Sequence, residues 1–514
     1  MRETKREQLP QGIIMLQIDG LGMKQFQKAL SSSKMPFLAS LLAKKKYSLH
    51  SFYSGLPSST PGVQAEIFFG EKTAVPAFGY LNKETGEYCN MLSSKTSRRI
   101  QRELKQKADS LLKGGSSYLN VYSADSIKSG FCSTDNGIKF YLSLINPRTL
   151  LSILFLHGFM IVRTLILFIV EFFLAIFDFF RGIIQRESLW KEIEFVPARV
   201  GICVLLRELI TANAIIDASR GLPIIHCNFL GYDEQAHRRG PSSRFAHWTL
   251  KGIDDAIRRI HNGSKKSSKR NYTLLVYSDH GQEQTISYTR QYGRSVQSAA
   301  AQILRNSGIK NVSNGSISES IQLKRIALLG IQFINRLSDG HLYSFREERS
   351  PGRIIAVGPV GHIYLPKKIS SSRMDHIARA LVHEGNLPLV MRVERSGKVI
   401  AWNSEGKWHL PEDTAKVVGE DHPFLNELCS DLLNLVKHPH SGDFVFSGWS
   451  PSQPPLSFPS ENGAHAGPGI NETRGFALIA PNINTVSKDT KYLRGAVLRK
   501  VVLDFLQNHS KSAP

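Results

Sequence analysis

The sequence lacks any cysteine pattern that could support disulfides or a thiolate zinc site. Its 514 residues include five cysteines, an odd number scattered without a close pair. This excludes a disulfide framework and a cysteine zinc finger, and it favours a reducing compartment. The charged residues 1–7 also lack the apolar core and cleavage site of a secretory signal. We therefore expect no signal peptide and a location in the cytoplasm or on the cytoplasmic side of a membrane.

Acidic residues are too few to balance the basic ones. The 43 Asp and Glu stand against 65 Lys and Arg, a net charge of +22. Such a surface is typical of proteins that meet nucleic acid or an anionic membrane. The basic residues are spread out, with short runs at 44–46 and 265–270, and no nucleic-acid-binding motif accompanies them. We expect no nucleic-acid partner and favour a membrane surface.

No uninterrupted apolar run reaches the length of about 18 residues that a membrane-spanning helix needs. The most apolar stretch, 149–184, contains charges that fall in one narrow stripe of a broad apolar helix at about 100° per residue. Its polar residues are Arg163, Glu171, Asp178, Arg181 and, just after the stretch, Gln185. The pattern predicts a helix, or a bent pair, lying in a membrane interface. A buried core helix or a lid over the active site is the alternative.

Short apolar stretches alternate with amphipathic ones along the chain. The predicted strands are 12–18, 118–123, 224–230, 273–278 and 475–480. The predicted helices are 37–45, 97–107, 243–261 and 491–507. This alternation predicts an α/β fold with a mostly parallel central sheet flanked by helices. Many short strands between about 300 and 440 predict an inserted α+β cap.

A single core rarely grows beyond about 250–300 residues, so the chain is expected to be divided. We predict a catalytic core in three parts, with an apolar helical segment and the cap inserted between them. The core parts are 1–140, 196–300 and 446–514, the apolar segment is 141–195, and the cap is 301–445.

Chemically capable side chains follow several predicted strands, at the edge where α/β sheets bind ligands. Asp19 follows the first strand, and Asp279 and His280 follow another. Asp233 and His237 are four residues apart, so on a helical turn they face the same way and could share a metal ion.

Two further segments add a hydroxyl and a histidine. Thr60, followed by Pro61, has the form of a helix N-cap, where a phosphate is also favoured. His465 lies among glycines that allow close backbone approach. Three Asp, three His and one hydroxyl form a ligand set for two divalent cations. The three histidines favour Zn²⁺, Mn²⁺ is the alternative, and Mg²⁺ alone is disfavoured.

In order and kind, these segments resemble the alkaline phosphatase superfamily and, within it, the type I phosphodiesterase/nucleotide pyrophosphatase branch. The resemblance covers 12–90, 223–300 and 460–482. More loosely, 75–86 and 228–241 look like membrane-associated bacterial members of that branch. The resemblance implies an alkaline-phosphatase-like fold and a two-metal site. One metal would be held by Asp233, His237 and His465, and the other by Asp19, Asp279, His280 and the Thr60 hydroxyl.

The resemblance also implies a reaction. Thr60 would attack phosphorus, and water would hydrolyse the resulting phosphothreonine. Nucleotide pyrophosphatases carry an asparagine three positions after the nucleophile, where this chain has Val63, so Gln64 becomes the candidate substrate ligand. The arginine typical of sulfatases is also missing at Val63, which disfavours a sulfatase. Ser58 and Ser59 are minor alternatives to Thr60.

The reading that follows is a hydrolase of phosphate esters, diesters before monoesters, docked on a membrane by 149–184 and its basic surface. A phosphoryl or head-group transferase of the same superfamily is one alternative. A membrane-attached, non-catalytic metal-binding protein is the other.

Overall fold

The computed structural model describes residues 9–135, 147–184, 200–312, 352–483 and 491–510. The stripe residue Gln185, the side chain of Arg181 and the early part of the predicted cap, 313–351, lie outside the described residues.

Strands and helices alternate along the described chain. In chain order the strands are β1 (Leu9–Ile18), β2 (Ser48–Tyr53), β3 (Gly79–Leu81), β4 (Tyr88–Asn90), β5 (Ser116–Tyr118), β6 (Lys128–Gly130), β7 (Ile224–Phe229), β8 (Arg270–Tyr277), β9 (Glu283–Gln284), β10 (Ile286–Ser287), β11 (Arg353–Ala356), β12 (Val360–Tyr364), β13 (Leu389–Val393), β14 (Val399–Asn403), β15 (Gly406–Leu410), β16 (Phe444–Ser447), β17 (Leu456–Ser457), β18 (Gly463–Ala464), β19 (Arg474–Ile479) and β20 (Leu493–Arg494). The helices are α1 (Met23–Ser31), α2 (Pro36–Ala43), α3 (Thr60–Phe69), α4 (Ser94–Lys105), α5 (Pro147–Ile184), α6 (Arg207–Arg220), α7 (Gly231–Arg239), α8 (Arg244–Ser264), α9 (Tyr288–Tyr292), α10 (Val296–Asn306), α11 (Ser371–His383), α12 (Thr414–Val418), α13 (Leu425–Lys437), α14 (Ile470–Thr473) and α15 (Gly495–Ser510). A π-helical turn, Gly201–Leu206, leads into α6.

The central sheet has eight strands in the order β20–β2–β19–β8–β1–β7–β5–β6. Strands β7 and β8 run parallel to β1, and β19 runs antiparallel to β2 and β8. The carboxyl ends of β1, β7 and β8 therefore meet at one edge. The predicted α/β class with a mostly parallel sheet is confirmed.

Helices cover both faces of this sheet, which is why β1 is apolar on both sides. Leu16 of β1 packs in one cluster with Leu250 of α8. Met15, which points the opposite way, packs in a second cluster with Ile67 of α3 and Val502 of α15. The core thus has three layers, with the sheet between two layers of helices.

The cap contains a six-stranded antiparallel sheet in the order β11–β12–β16–β13–β14–β15. One apolar cluster joins this sheet to α10 and α11, and another joins it to α13. An inserted α+β cap is confirmed, whereas the predicted boundaries of the five parts stay a prediction.

The apolar segment predicted at 149–184 forms the long helix α5. Within the described residues, no helix combines the length and the apolar character needed to cross a membrane.

Two predicted elements differ from the structure. The strand expected at 118–123 ends at Tyr118, because Leu119 adopts a left-handed backbone with φ 58°. The helix expected from 491 begins at Gly495, and Leu493–Arg494 instead pairs with β2. Strand β2 escaped prediction because its sequence, Ser-Leu-His-Ser-Phe-Tyr, has little regular alternation.

Candidate active site

The predicted site residues converge at the carboxyl edge of the central sheet. Asp19 directly follows β1, Asp279 and His280 follow β8, and the turn after β7 opens α7, which carries Asp233 and His237. His465 arrives from the loop after β18. The sheet therefore gathers side chains that are up to 446 residues apart in the chain.

Gly20 makes this convergence possible. Its φ of 71° is left-handed, and a Cβ atom there would lie 2.5 Å from Oδ1 of Asp233. A larger residue would push α7 away from the end of β1.

Asp233, His237 and His465 form the first group, with ligand atoms that all lie within 4.8 Å of one another. The Nε2 atoms of His237 and His465 are 3.1 Å apart. Oδ2 of Asp233 lies 3.5 Å from Nε2 of His237, and Oδ1 lies 3.7 Å from Nε2 of His465. All three side chains thus present an atom to one point.

Backbone carbonyls determine the tautomers of both rings. Nδ1 of His237 lies 3.0 Å from the Gly463 oxygen, and Nδ1 of His465 lies 2.9 Å from the Ser58 oxygen. Because a carbonyl only accepts, each Nδ1 carries the proton and each Nε2 presents a lone pair to the group. Metal-binding histidines are usually held in this way.

Asp19, Asp279 and His280 form the second group, again within 4.8 Å, and all three are fully buried. Nε2 of His280 lies 3.5 Å from Oδ1 of Asp19 and 3.4 Å from Oδ2 of Asp279. Nδ1 of His280 is 2.9 Å from the carbonyl oxygen of Gly281. This ring therefore also carries a proton on Nδ1 and presents Nε2 to its group. Among the described residues, Oδ2 of Asp279 receives no hydrogen bond.

Thr60 lies beside the second group. Its Oγ1 is 3.4 and 3.5 Å from the two oxygens of Asp19 and 3.3 Å from Nε2 of His280. Helix α3 begins at Thr60, so Ser59 rather than Thr60 occupies the N-cap position, one residue earlier than predicted. The hydroxyl still lies at the positive end of α3, where a phosphate is stabilised.

The neighbouring serine has other contacts. Oγ of Ser58 donates to the carbonyl of Gly467 at 2.8 Å and accepts from the backbone N–H of Ala466. Thr60, which touches the second group directly, is therefore the hydroxyl best placed for attack.

Electrostatics at the site suit a bound cation. Burial opposes the charged form of His237, but Asp233 and Glu461 outweigh it and raise the pKa of this ring well above its usual range. Burial lowers the pKa of His465 well below the usual range. Burial, aided by Asp233, raises the pKa of Asp279 to about 7. Carboxylates and imidazoles that lie this close together match the donors that divalent metals take.

Two side chains that the sequence analysis missed orient the carboxylates. Nδ2 of Asn228 donates to Oδ2 of Asp19 at 2.8 Å, and Nε2 of Gln282 donates to Oδ1 of Asp233 at 2.6 Å. Asn228 could have been found as a polar residue near the end of the otherwise largely apolar β7. Gln282 could have been found three residues after Asp279.

The structure does not bring Gln64 to the two groups. Its side chain is fully buried, and it donates to Gln17 at 3.1 Å and to Asn120 at 2.9 Å while accepting from the N–H of Val121 at 2.8 Å. These contacts occupy both ends of the amide, and its predicted role in substrate binding stays a prediction.

Comparison with known proteins agrees with this geometry. Residues 207–422 match the family model "Type I phosphodiesterase / nucleotide pyrophosphatase". No curated protein sequence matches significantly.

Solved structures with a similar arrangement include two hydrolases. A phosphonoacetate hydrolase from Sinorhizobium meliloti 1021 has a TM-score of 0.46 and 14% identity, over 98% of each chain. Human ectonucleotide pyrophosphatase/phosphodiesterase 5 has a TM-score of 0.48 and 10% identity, over 97% of this chain and 95% of that one.

The family match spans Asp233, His237, Asp279 and His280, whereas Asp19, Thr60 and His465 lie outside it. The resemblance seen in the sequence is thereby confirmed over residues 207–422, which match a family of metal-dependent enzymes that hydrolyse phosphoric esters.

Proposed function

We propose that this enzyme cleaves phosphodiesters through a covalent intermediate on Thr60. One observation carries the proposal: Oγ1 of Thr60 lies 3.3–3.5 Å from Asp19 and His280 at the start of α3. A nucleophile in this position has charged groups on one side and helix N–H groups on the other.

The reaction has two displacements at phosphorus. Oγ1 of Thr60 forms a bond to phosphorus, the bond to the leaving alkoxide breaks, and that group departs as an alcohol with the proton lost by Thr60. Water then attacks the Thr60 ester, which restores the hydroxyl and releases a phosphate monoester. We assign the second step to the side of the site formed by Asp233, His237 and His465.

We propose two divalent ions at these groups, Zn²⁺ first and Mn²⁺ as the alternative, because each group combines one histidine or more with carboxylates. When bound, such ions lower the pKa of the attacking hydroxyl and stabilise charge on the entering and leaving oxygens. Asn228 and Gln282 hold the ligand carboxylates in place for them.

We also propose that the enzyme works at a membrane surface, on its cytoplasmic side. The net charge of +22 and the apolar character of α5 support this location.

The proposal is tested with bis(p-nitrophenyl) phosphate and p-nitrophenyl phosphate, with added Zn²⁺ or Mn²⁺. We expect faster turnover of the diester and a loss of about a thousandfold or more in Thr60→Ala. Thr60→Ser, which keeps a hydroxyl, is the matched control and should retain measurable activity.

A brief quench in acid followed by mass spectrometry should find the phosphoryl adduct on Thr60. Full activity in Thr60→Ala would contradict the covalent mechanism. A preference for the monoester would move the enzyme towards phosphatases. Transfer to added alcohols in place of water would favour the transferase alternative.

A further inference from the structure

Helix α5 buries acidic side chains and exposes apolar ones. In the stretch 162–180, where the side chains are described, Glu171 and Asp178 are buried, whereas all ten exposed side chains are apolar. Phe173 and Phe177 are each 65% exposed. At about 100° per residue, the exposed side chains cover roughly 200° of the helix surface. A helix that faces water shows the opposite distribution.

Ion pairs hold the polar side of α5 against the protein. Arg163 pairs with Asp255 of α8 and, at 3.4 Å, with Glu208 of α6. Asp178 pairs at 2.9 Å with Arg239, the last residue of α7. At 1.5 Å per residue these two anchors are about 22 Å apart along the helix. Among the described residues, the rest of the protein covers one side of α5 over that length, and the apolar side faces outward.

A basic stripe lies beside the apolar side. The exposed residues of α8 between 244 and 258 fall on one helical face, and they are Arg244, Trp248, Lys251 and Arg258. Trp248 is 42% exposed, and Nζ of Lys251 lies 5.1 Å from its ring. The stripe therefore combines cations with an aromatic side chain suited to a membrane interface.

The stripe and the apolar side of α5 meet at a cavity of about 210 Å³. Its lining includes Leu167 and Val170 of α5 and Trp248 and Lys251 of α8. Ligands or lipids that contact one of the two helices at this point also meet the other.

We propose that the outward sides of α5 and α8 form a docking surface for a lipid bilayer with anionic head groups. The phenylalanines of α5 would lie among the upper acyl chains, and Arg244, Lys251 and Arg258 would meet the head groups. A second copy of the chain suits this surface poorly, because a two-fold interface brings the same basic stripe from both copies together.

Docking in this way places the active site close to the lipid. Arg239, which holds Asp178, is two residues after His237 on α7. A bilayer under α5 is therefore separated only by α5 from the helix that carries Asp233 and His237. The inference rests on the proposed membrane-side location, and it does not depend on the proposed chemistry.

Vesicle flotation of the full chain tests the proposal. The probes are vesicles of phosphatidylcholine alone and of phosphatidylcholine mixed with phosphatidylglycerol. We expect binding to the mixed vesicles that weakens as salt is added. The double variant Phe173→Glu/Phe177→Glu should bind about tenfold or more weakly. Arg244→Glu/Lys251→Glu should lose binding to the mixed vesicles and its salt dependence.

Two single-substitution controls introduce the same kinds of change elsewhere. Ile127→Glu alters an apolar side chain that is 69% exposed outside this surface, and Lys398→Glu alters an exposed lysine of the cap. Both should bind like wild type. Circular dichroism and thermal melting of each variant establish that it is folded.

Three results would overturn the docking proposal. The first is folded wild-type protein that binds neither vesicle. The second is a Phe173→Glu/Phe177→Glu variant that binds like wild type. The third is a dimer that this variant converts to monomer while vesicle binding is unchanged. Thr60→Ala should bind vesicles like wild type, because Thr60 lies in the active site and not on the docking surface. A failure of the proposed catalysis can therefore be distinguished from a failure of docking.

Discussion

The Nε2 atoms of His237 and His465 face each other at 3.1 Å, while the Nδ1 atom of each ring donates to a backbone carbonyl. Asp233 supplies negative charge to the same point. A divalent ion held there would accept a lone pair from each ring and from the carboxylate, and it would bind the folded protein but not the unfolded chain.

Removal of divalent ions should consequently lower the melting temperature. A ligand present at about a thousand times its Kd adds about 4 kcal/mol to the free energy of unfolding. We expect a drop of several degrees in EDTA, measured by calorimetry, and recovery when Zn²⁺ is added back. His465→Gln should reduce this response, and His409→Gln, at an exposed position of the cap, should leave it intact. An identical melting temperature with and without EDTA would contradict a metal at the first group.

Asn228 should set the metal affinity of the second group. Its Nδ2 donates to Oδ2 of Asp19 at 2.8 Å, and both side chains are fully buried. Asn228→Ala frees that carboxylate to rotate, so we expect metal affinity and kcat/KM to fall about 10–100-fold. Metal titration followed by calorimetry measures the first quantity, and diester hydrolysis measures the second.

Asn120→Ala is the matched control for this variant. Asn120 is also buried, but it contacts Gln64 and Ser117 rather than a ligand carboxylate. It should lower stability and leave metal affinity near that of wild type. Equal losses of affinity in both variants would mean that Asn228 has only a packing role.

The sequence predicts the candidate site well because of one property of parallel sheets. The carboxyl ends of neighbouring parallel strands share an edge, so polar residues that follow β1 and β8 must lie close together. Asp19, Asp279 and His280 could therefore be grouped from their positions after apolar runs. Thr60 and His465 had weaker local signals, a Thr-Pro helix start and a glycine-rich loop, and only the family resemblance implied their roles at the two metals.

Other features could not be read from local pattern. Periodicity predicts the polar stripe of α5, but it does not say which side faces the protein. That depends on Arg239, which is 61 residues from Asp178 in the chain. The hydrogen-bond partners of Gln64 could not be predicted either. One of them, Asn120, lies just after a strand that ends earlier than predicted, at Tyr118.

Breaking the buried Asp178–Arg239 pair should destabilise the protein strongly. Asp178 is fully buried and the side chain of Arg239 is 6% exposed. Asp178→Ala leaves the buried guanidinium without this carboxylate, so we expect it to cost about 3–5 kcal/mol in the free energy of unfolding, measured in urea. Arg239→Ala should cost a similar amount. In the double variant the losses should fall short of the sum by about 1–3 kcal/mol. Additive losses would show that the two side chains act independently.

His226 should make the protein less stable in mild acid. It lies fully buried on β7, with Nε2 2.7 Å from the hydroxyl of Tyr277 and its ring against Phe68. Burial lowers the pKa of this ring to about 3. In the unfolded chain the ring titrates near about 6.5. Between these values the unfolded state binds a proton that the folded state does not, so the stability present above about pH 6.5 is lost as pH falls towards 3.

The dependence of the free energy of unfolding on pH distinguishes the effect of His226 from that of other titrating groups. From pH 7 to pH 5 one such group removes about 2 kcal/mol, so wild type should lose about that much more than His226→Phe, which has no proton to take up. Tyr277→Phe is the matched control, since it removes the same hydrogen bond but keeps the buried imidazole. It should be less stable at every pH and keep the slope of wild type, because the proton taken up on unfolding belongs to His226. If His226→Phe and Tyr277→Phe show the same slope in urea unfolding at pH 7, 6 and 5, the acid sensitivity has another source.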